Sequence, residues 1–283
     1  MAGLLSGLAN LGLGNLADAK VFEEPKEEKK EAAAPIPPEQ LEKDMVYDRV
    51  YECPMCSSKI ASKVMKSGKA KLVKSDQDLR PVYEGIDPLK YDVIVCPKCG
   101  YSALTRYHAA GLTPTQRKLI TENISKNVKM TPRTEEIYSY EIAMERYQMA
   151  LACAIVKQGK ASEKAYICLK TAWILRGWQE TLDESKPETE SQKAELLAAE
   201  NEYLTNALEG FMTARTKENM PICGMDEYTV DYLIAVLAAR FERYDVASRM
   251  IAGLLGSSAN PRMKEKARDL KESIVLAMKK KNQ

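Results

Sequence analysis

Residues 93–101 read V-I-V-C-P-K-C-G-Y, and their cysteines form one of two C-x-x-C pairs in the chain. The other pair, C-P-M-C at 53–56, lies upstream, with 39 residues (57 to 95) between the two pairs. Zinc prefers four ligands at tetrahedral corners, and a C-x-x-C turn offers two sulfurs along one edge of that tetrahedron. The spacing therefore predicts a closed site for one structural Zn²⁺, held by Cys53, Cys56, Cys96 and Cys99.

The residues beside the sulfurs favour this interpretation. Pro54 and Pro97 fix φ just after the first cysteine of each pair. Gly100 can adopt the left-handed turn after Cys99, and Ser57 takes the equivalent place in the first pair. A redox pair, a disulfide and an iron cluster are the alternatives. A thioredoxin-type pair, however, begins a helix in a βαβ unit and needs no second pair.

The composition is that of a soluble globular protein with room for two modest domains. The 283 residues are 45% hydrophobic and 29% charged, with a net charge of +2, so no whole-molecule field attracts nucleic acid or an anionic membrane. Seven cysteines, an odd number, and a start without a signal-peptide pattern predict a reducing, cytoplasmic location. No apolar run reaches the roughly 18 to 20 residues that a membrane span requires.

The chain divides into four predicted regions. Residues 1–16 form a leucine- and glycine-rich peptide with six leucines and no charge between positions 2 and 16, which we interpret as a docking motif. An inert tail and a membrane-surface segment are the alternatives for this peptide. Residues 17–44 are rich in charge and proline and predict a disordered linker. Residues 45–110 carry the zinc ribbon, and residues 111–283 are helical.

The pattern predicts strands near 59–66, 69–75 and 91–95, with a turn at Ser67-Gly68 joining the first two. It predicts helices near 114–129, 133–157, 161–179, 188–216, 226–241, 245–256 and 261–281. Small residues at the spacing of tetratricopeptide helix pairs favour stacked helical hairpins: Cys153 with Ala165, and Ala235 with Ala247. The predicted fold is α+β and mostly α, a small zinc-ribbon head followed by tetratricopeptide-like hairpins.

Several other residues have both a functional and a structural interpretation. His108 is the single histidine, and we favour a structural role over a fifth ligand, since four thiolates close the zinc shell. For Asp76 and Asp78 we favour a structural role in a turn over a pair of metal-binding carboxylates. For Trp173 and Trp178 we favour anchoring of the core over stacking on a ligand. With one histidine and no nucleotide-binding, zinc-protease or nucleophile-elbow motif, we expect no catalytic activity.

A stripe of lysines in the head supports an alternative function. Between Ser57 and Ser75 the chain has no acidic residue and six lysines, Lys59, Lys63, Lys66, Lys69, Lys71 and Lys74. Such a stripe can contact phosphates, although readout of bases requires arginine, amide or aromatic side chains as well. The alternative is therefore a zinc-ribbon protein that associates with nucleic acid and has a regulatory role.

The run S-D-Q-D-L-R-P-V-Y-E-G-I-D-P-L-K-Y-D-V-I-V-C-P-K-C-G-Y-S-A at 75–103, with the upstream C-P-M-C, resembles a bacterial family known only as a domain of unknown function. The resemblance covers about residues 45 to 260. It implies a zinc-ribbon head with the four cysteines as ligands and a tetratricopeptide-like tail, and it implies no activity. Combined with the residues, it predicts a cytoplasmic zinc-binding adaptor that engages an unidentified protein partner or larger assembly through the helical surface and residues 2–16.

Overall fold

The computed structural model describes residues 37–130 and 134–281. Its strands are β1 (Val46–Glu52), β2 (Lys59–Met65), β3 (Leu72–Ser75), β4 (Pro81–Tyr83), β5 (Val93–Val95) and β6 (Ser102–Leu104). Its α-helices are α1 (Pro38–Met45), α2 (Thr105–His108), α3 (Pro114–Ile120), α4 (Tyr140–Val156), α5 (Ala161–Glu180), α6 (Thr189–Lys217), α7 (Glu227–Arg240), α8 (Tyr244–Gly256) and α9 (Pro261–Lys281). A 3-10 turn at Pro88–Tyr91 and a π-helical turn at Thr121–Ser125 complete the described elements. The predicted class, mostly α within α+β, is confirmed.

The predicted docking peptide, residues 2–16, and the linker up to residue 36 lie outside the described residues. The last part of the predicted linker, residues 38–44, lies in helix α1. Proline suits the first turn of a helix, and the carboxylate of Glu42 accepts hydrogen bonds from the Tyr91 hydroxyl and the Lys90 ammonium. These buried partners are distant in sequence, which is why local composition did not reveal the helix.

The strands form three antiparallel hairpins, β1 with β2, β3 with β4 and β5 with β6. The predicted turn at Ser67-Gly68 is present between β2 and β3, but these two strands do not pair with each other. The C-P-M-C turn reverses the chain first, so that Glu52 pairs with Lys59 and β2 is paired before the chain reaches Gly68. The other cysteine pair does the same, and Val95 pairs with Ser102 across it. Each cysteine pair thus lies at the tip of a hairpin.

Helices α3, α4 and α7 begin at residues whose side chains cap them. The Thr113 side chain and the Gln116 side chain form a capping box at α3, and Asp226 caps α7. The predicted helix at 133–157 begins later, at Tyr140, because Ser139 accepts a hydrogen bond from the backbone N–H of Ile142 and so forms the N-cap. None of the helices described is long and apolar enough to cross a bilayer.

The cysteine-bearing head and the helices share a hydrophobic core. Val93, Val95 and Leu104 from the third hairpin belong to the same buried cluster as Tyr147 of α4 and Leu169 of α5. The boundary predicted between residues 110 and 111 therefore does not divide the hydrophobic core.

Of the small residues at the tetratricopeptide spacing, the three alanines are buried in the cluster that the helices share, whereas Cys153 is buried in the cluster of the head. Cys153, Ala165, Ala235 and Ala247 are all almost inaccessible to solvent. The contact of α5 with α6 is especially close, since a Cβ added at Gly210 would lie 2.7 Å from the Cβ of Ala165. Assignment of the helices to tetratricopeptide repeats stays a prediction.

Candidate metal centre

The two cysteine pairs adopt the same backbone conformation. In the first, the Cys53 N–H donates to the Ser58 carbonyl and the Ser57 N–H donates to the Cys53 carbonyl, both at 2.9 Å. In the second, the equivalent bonds run from Cys96 to Tyr101 at 2.9 Å and from Gly100 to Cys96 at 2.8 Å. We call these six-residue turns, 53–58 and 96–101, the first and second knuckle. The equivalent hydrogen bonds show that the C-P-x-C sequence determines the same backbone turn at both hairpin tips.

The fifth residue of each knuckle has a left-handed backbone, as its position predicted. The φ angle is +57° at Ser57 and +72° at Gly100. At Gly100 glycine is required for a further reason. A Cβ there would lie 2.8 Å from Cγ1 of Val128 and 2.9 Å from Cγ2 of Ile124. The second knuckle thus packs closely against the turn that follows α3, which no local pattern in the sequence indicated.

Replacement of Gly100 with alanine is expected to lower the free energy of unfolding by about 2 to 4 kcal/mol, since it adds overpacking to left-handed strain. Gly85 provides a matched control because it has φ +71° and nothing within 4 Å of an added Cβ. Gly85→Ala should therefore cost only the strain, about 1 to 2 kcal/mol. Urea unfolding of the two zinc-loaded variants measures the difference. Equal losses would contradict a packing role for Gly100.

The four sulfurs come together at the spacing of a tetrahedral metal site. The Sγ atoms of Cys53 and Cys99 are 3.6 Å apart, as are those of Cys56 and Cys96, and all four lie within 4.8 Å of one another. Zinc–sulfur bonds of about 2.3 Å imply tetrahedral edges of about 3.8 Å. A disulfide would require a separation of about 2.05 Å, and the four thiols are free. Each short contact joins one knuckle to the other, so a single ion can bind both hairpins.

The cluster is largely shielded from water. Cys53 and Cys96 are fully buried, Cys99 is nearly so, and Cys56 is half-buried. Cys53 and Cys99 share a sulfur–sulfur hydrogen bond, which lowers the pKa of Cys53 to about 5 and raises that of Cys99. Burial raises the pKa of Cys96. A metal cation binds thiolates, so the thiols lose their protons to solvent when it binds. The affinity for the metal will therefore depend on pH.

A fifth cysteine supports the second knuckle. Cys153 of α4 is fully buried, and its sulfur accepts a hydrogen bond from the Ser102 backbone N–H at 3.2 Å. The Ser125 hydroxyl donates to the carbonyl oxygen of Cys99 at 2.7 Å. The sequence predicted Cys153 only as a small core residue, because the signal for its contact with the knuckle is tertiary.

His108 is not brought into the sulfur cluster. It is buried, with its ring 5.9 Å from the ring of Tyr51 and 5.7 Å from that of Tyr101, measured between centroids. Burial lowers its pKa, which favours the neutral imidazole. Among the described residues, the four cysteines are the group of side chains that can hold a metal ion.

Carboxylates partly neutralise the lysine stripe. Lys63 lies 3.1 Å from Asp48, Lys71 lies 3.0 Å from Glu84, and Lys74 lies 4.0 Å from Asp76. Exposed pairs of this kind are weak, yet they lower the local positive potential. The geometry therefore does not strengthen the case for a phosphate-binding surface.

Asp76 and Asp78 bind arginines. Arg176 of α5 contacts Asp78 at 2.7 Å, Asp76 at 3.2 Å and the buried Glu200 of α6 at 2.8 Å. Arg80 binds Asp76 at 2.7 Å, and its side chain is almost completely buried. The two aspartates therefore fasten the 76–80 turn to the helices, in line with their structural interpretation. The indole of Trp173 also donates to Asp78, and Trp173 is itself buried in the core.

Comparison with known proteins places the chain by family. No curated protein and no solved structure matches it. Residues 46–274 match the family model DUF2225, described as an uncharacterized protein conserved in bacteria. The match begins at β1, spans both knuckles and extends into α9, which confirms the resemblance seen in residues 75–103. Since the match covers most of the chain, the protein belongs to this uncharacterised bacterial family.

Proposed function

We propose that the protein is a cytoplasmic adaptor whose head is held together by one structural zinc ion. The four-sulfur geometry supports this proposal, because a tetrahedral array of four thiolates suits Zn²⁺. An iron centre is the other metal that such an array can hold. Both pairs lie at hairpin tips, so neither has the helix N-terminus that activates a thioredoxin-type thiol. Four protein ligands leave no position for a water, and the ion therefore stabilises the head without activating a nucleophile.

The observation that carries the adaptor role is an apolar groove on the helical layer. Helices α4, α5 and α6 line a cavity of about 560 Å³, with Leu151, Ile155 and Tyr203 among its apolar lining residues. Ile155 is 56% exposed, although it is a large aliphatic residue. Grooves of this kind between stacked helices accept apolar side chains of a partner. Residues 2–16, charge-free and leucine-rich, supply the second proposed contact with that partner or with a larger assembly.

Affinity capture from the native cytoplasm under zinc-retaining conditions tests this function. Four versions are compared: the full chain, a chain lacking residues 2–16, Ile155→Asp, and Leu197→Asp. Leu197 is the matched control, because it is 44% exposed on α6 and does not line the groove. We expect Leu197→Asp to retain the partners of the full chain. Ile155→Asp and the shortened chain should each lose a common subset of them.

Identical partner lists from all four versions would overturn the adaptor proposal. Nucleic acid recovered with the full chain, and lost when Lys59, Lys69 and Lys74 are replaced by glutamine, would support the alternative regulatory function instead. Because carboxylates already pair with other lysines of the stripe, we expect little nucleic acid.

A further inference from the structure

Helix α9 carries an exposed apolar group within a basic surface. Val275, Leu276 and Met278 are 43%, 60% and 44% exposed. With Leu255 of α8, Val275 and Leu276 border a shallow depression of about 580 Å³. Single exposed apolar side chains are ordinary on a protein surface. A group of them on one helix indicates a surface that contacts a protein or a membrane.

Basic residues surround these side chains. At 100° per residue, Arg268, Lys271 and Lys279 fall on the same side of α9 as Val275. Lys280 and the exposed Asp269 fall at one edge of this side, about 140° and 120° from Val275, and the acidic Glu272 lies nearer its centre. Lys281 differs because its ammonium is bound to Glu242 of the α7–α8 turn. We call the set Arg268, Asp269, Lys271, Glu272, Val275, Leu276, Met278, Lys279 and Lys280 the α9 basic face; its formal charge is four positive against two negative.

The apolar part is too short for a helix–helix seam. Such a seam needs apolar residues repeated over several turns, but the preceding positions on this face are Arg268, Lys271 and Glu272. By contrast, Val275, Leu276 and Met278 spread over about 160° of the helix circumference within one turn. Basic side chains around a small apolar group match an anionic lipid surface, in which negatively charged headgroups cover an apolar interior.

We propose that the α9 basic face binds peripherally to membranes containing anionic phospholipids. Val275, Leu276 and Met278 enter the boundary between headgroups and acyl chains, while Arg268, Lys271, Lys279 and Lys280 contact the phosphates. A single turn of apolar residues gives weak, reversible association, and the lysines add an attraction that salt screens. Lipid binding by this face does not depend on the adaptor function, and it involves no residue of the metal centre.

Co-sedimentation of the full, zinc-loaded chain with vesicles tests the proposal. Phosphatidylcholine vesicles are compared with phosphatidylcholine–phosphatidylserine vesicles at low and at physiological ionic strength. Binding should require phosphatidylserine and weaken as salt rises. Leu276→Asp should lower partitioning about tenfold, since it removes an inserted side chain and adds a repelled charge. Replacing Lys279 and Lys280 by glutamine should lower it about fivefold for each lysine.

Two control variants distinguish the α9 basic face from the remaining apolar surfaces of the chain. Ile155→Asp changes a similarly exposed aliphatic residue on α4 and should bind vesicles as the unaltered chain does. A chain lacking residues 2–16 should also bind, whereas loss of binding only in that chain would assign the lipid contact to the leucine-rich peptide and overturn the proposal. Equal binding to both vesicle types, or no effect of Leu276→Asp, would overturn it as well. So would self-association abolished by Leu276→Asp in sedimentation velocity, which would identify the face as an interface between copies.

Discussion

Replacement of Cys96 with serine is expected to abolish stoichiometric zinc binding and to unfold the head. Structural zinc supplies about 10 to 16 kcal/mol of apparent binding free energy in zinc-finger peptides, which is comparable with the whole stability of a typical domain. Here one ion would join two hairpins whose tips meet at the cysteine cluster. Its loss would free the first knuckle and leave buried thiols of the second without their ligand.

The unfolding should extend beyond the hairpins into α4. Ile94 and Tyr101 of the third hairpin share a buried cluster with Cys153, so loss of the head exposes apolar surface on the helix. We expect the midpoint of thermal unfolding to fall by about 10 °C or more, since 1 kcal/mol corresponds to about 2 to 4 °C at 150 to 250 residues. Metal content per chain and circular dichroism melting measure the two effects.

Cys223→Ser is the matched control. The Cys223 thiol donates to the Ser162 carbonyl at 3.2 Å, a bond that a serine hydroxyl can also make, and it lies outside the sulfur cluster. This variant should retain one zinc per chain. A Cys96→Ser protein that is metal-free and melts like the unaltered chain would contradict the structural role of the metal.

Replacement of Arg176 with methionine should lower the free energy of unfolding by about 3 to 5 kcal/mol, the cost of leaving the buried Asp78 carboxylate without its cationic partner. Arg176 is the shared partner of Asp76, Asp78 and Glu200, and the Glu200 side chain is only 2% exposed. Asp76 keeps its pair with Arg80 and Glu200 keeps its pair with Arg240. Methionine preserves most of the apolar volume, so the loss reports the missing ion pairs rather than a cavity. Urea unfolding at neutral pH measures it.

Arg215→Met provides the comparison for this arginine. Arg215 pairs with Asp231 and Glu227, but its side chain is 32% exposed, so its removal should cost about 1 kcal/mol or less. Equal losses in the two variants would show that the Arg176 cluster is no more than a surface network.

The pH dependence of stability offers a second readout of the same cluster. Burial tends to raise the pKa of Asp76, but Arg80 and Arg176 outweigh it and hold that pKa below its ordinary value of 3.8. A carboxylate with a lowered folded-state pKa stabilises the protein above its unfolded pKa, and this contribution is lost as pH falls through the folded value. Arg176→Met should therefore reduce the loss of stability between pH 5 and about pH 3, measured by urea titrations at each pH.

The sequence predicted the features that depend on local rules. Two C-P-x-C pairs fold alike because proline and a left-handed fifth residue fix each turn, so the four cysteines and the special role of Gly100 could be named without coordinates. The helices from α5 onward were placed within about two residues, since Asp226 and the long apolar periodicities give local signals.

What the sequence did not reveal depends on partners far along the chain. Asp78 meets Arg176 across 98 positions, and Ser102 meets Cys153 across 51. Glu200 lies in a charged helix and its pattern is that of a solvated residue, yet it is buried because two arginines converge on it. The pairing of β2 with β1 was not predicted for a similar reason, since no local pattern indicates that the C-P-M-C turn closes a hairpin.

The division of the metal centre between two hairpins also determines where the chain can accept insertions during evolution. Residues 57 to 95 form a loop that a metal ion bound by the four cysteines would close, and the entropy of closing a flexible loop grows only with the logarithm of its length. Doubling such a loop costs about 0.6 kcal/mol, which would weaken metal binding less than threefold. Extra residues near the exposed Ser67-Gly68 turn should therefore be accepted easily, while each six-residue knuckle tolerates no change of length.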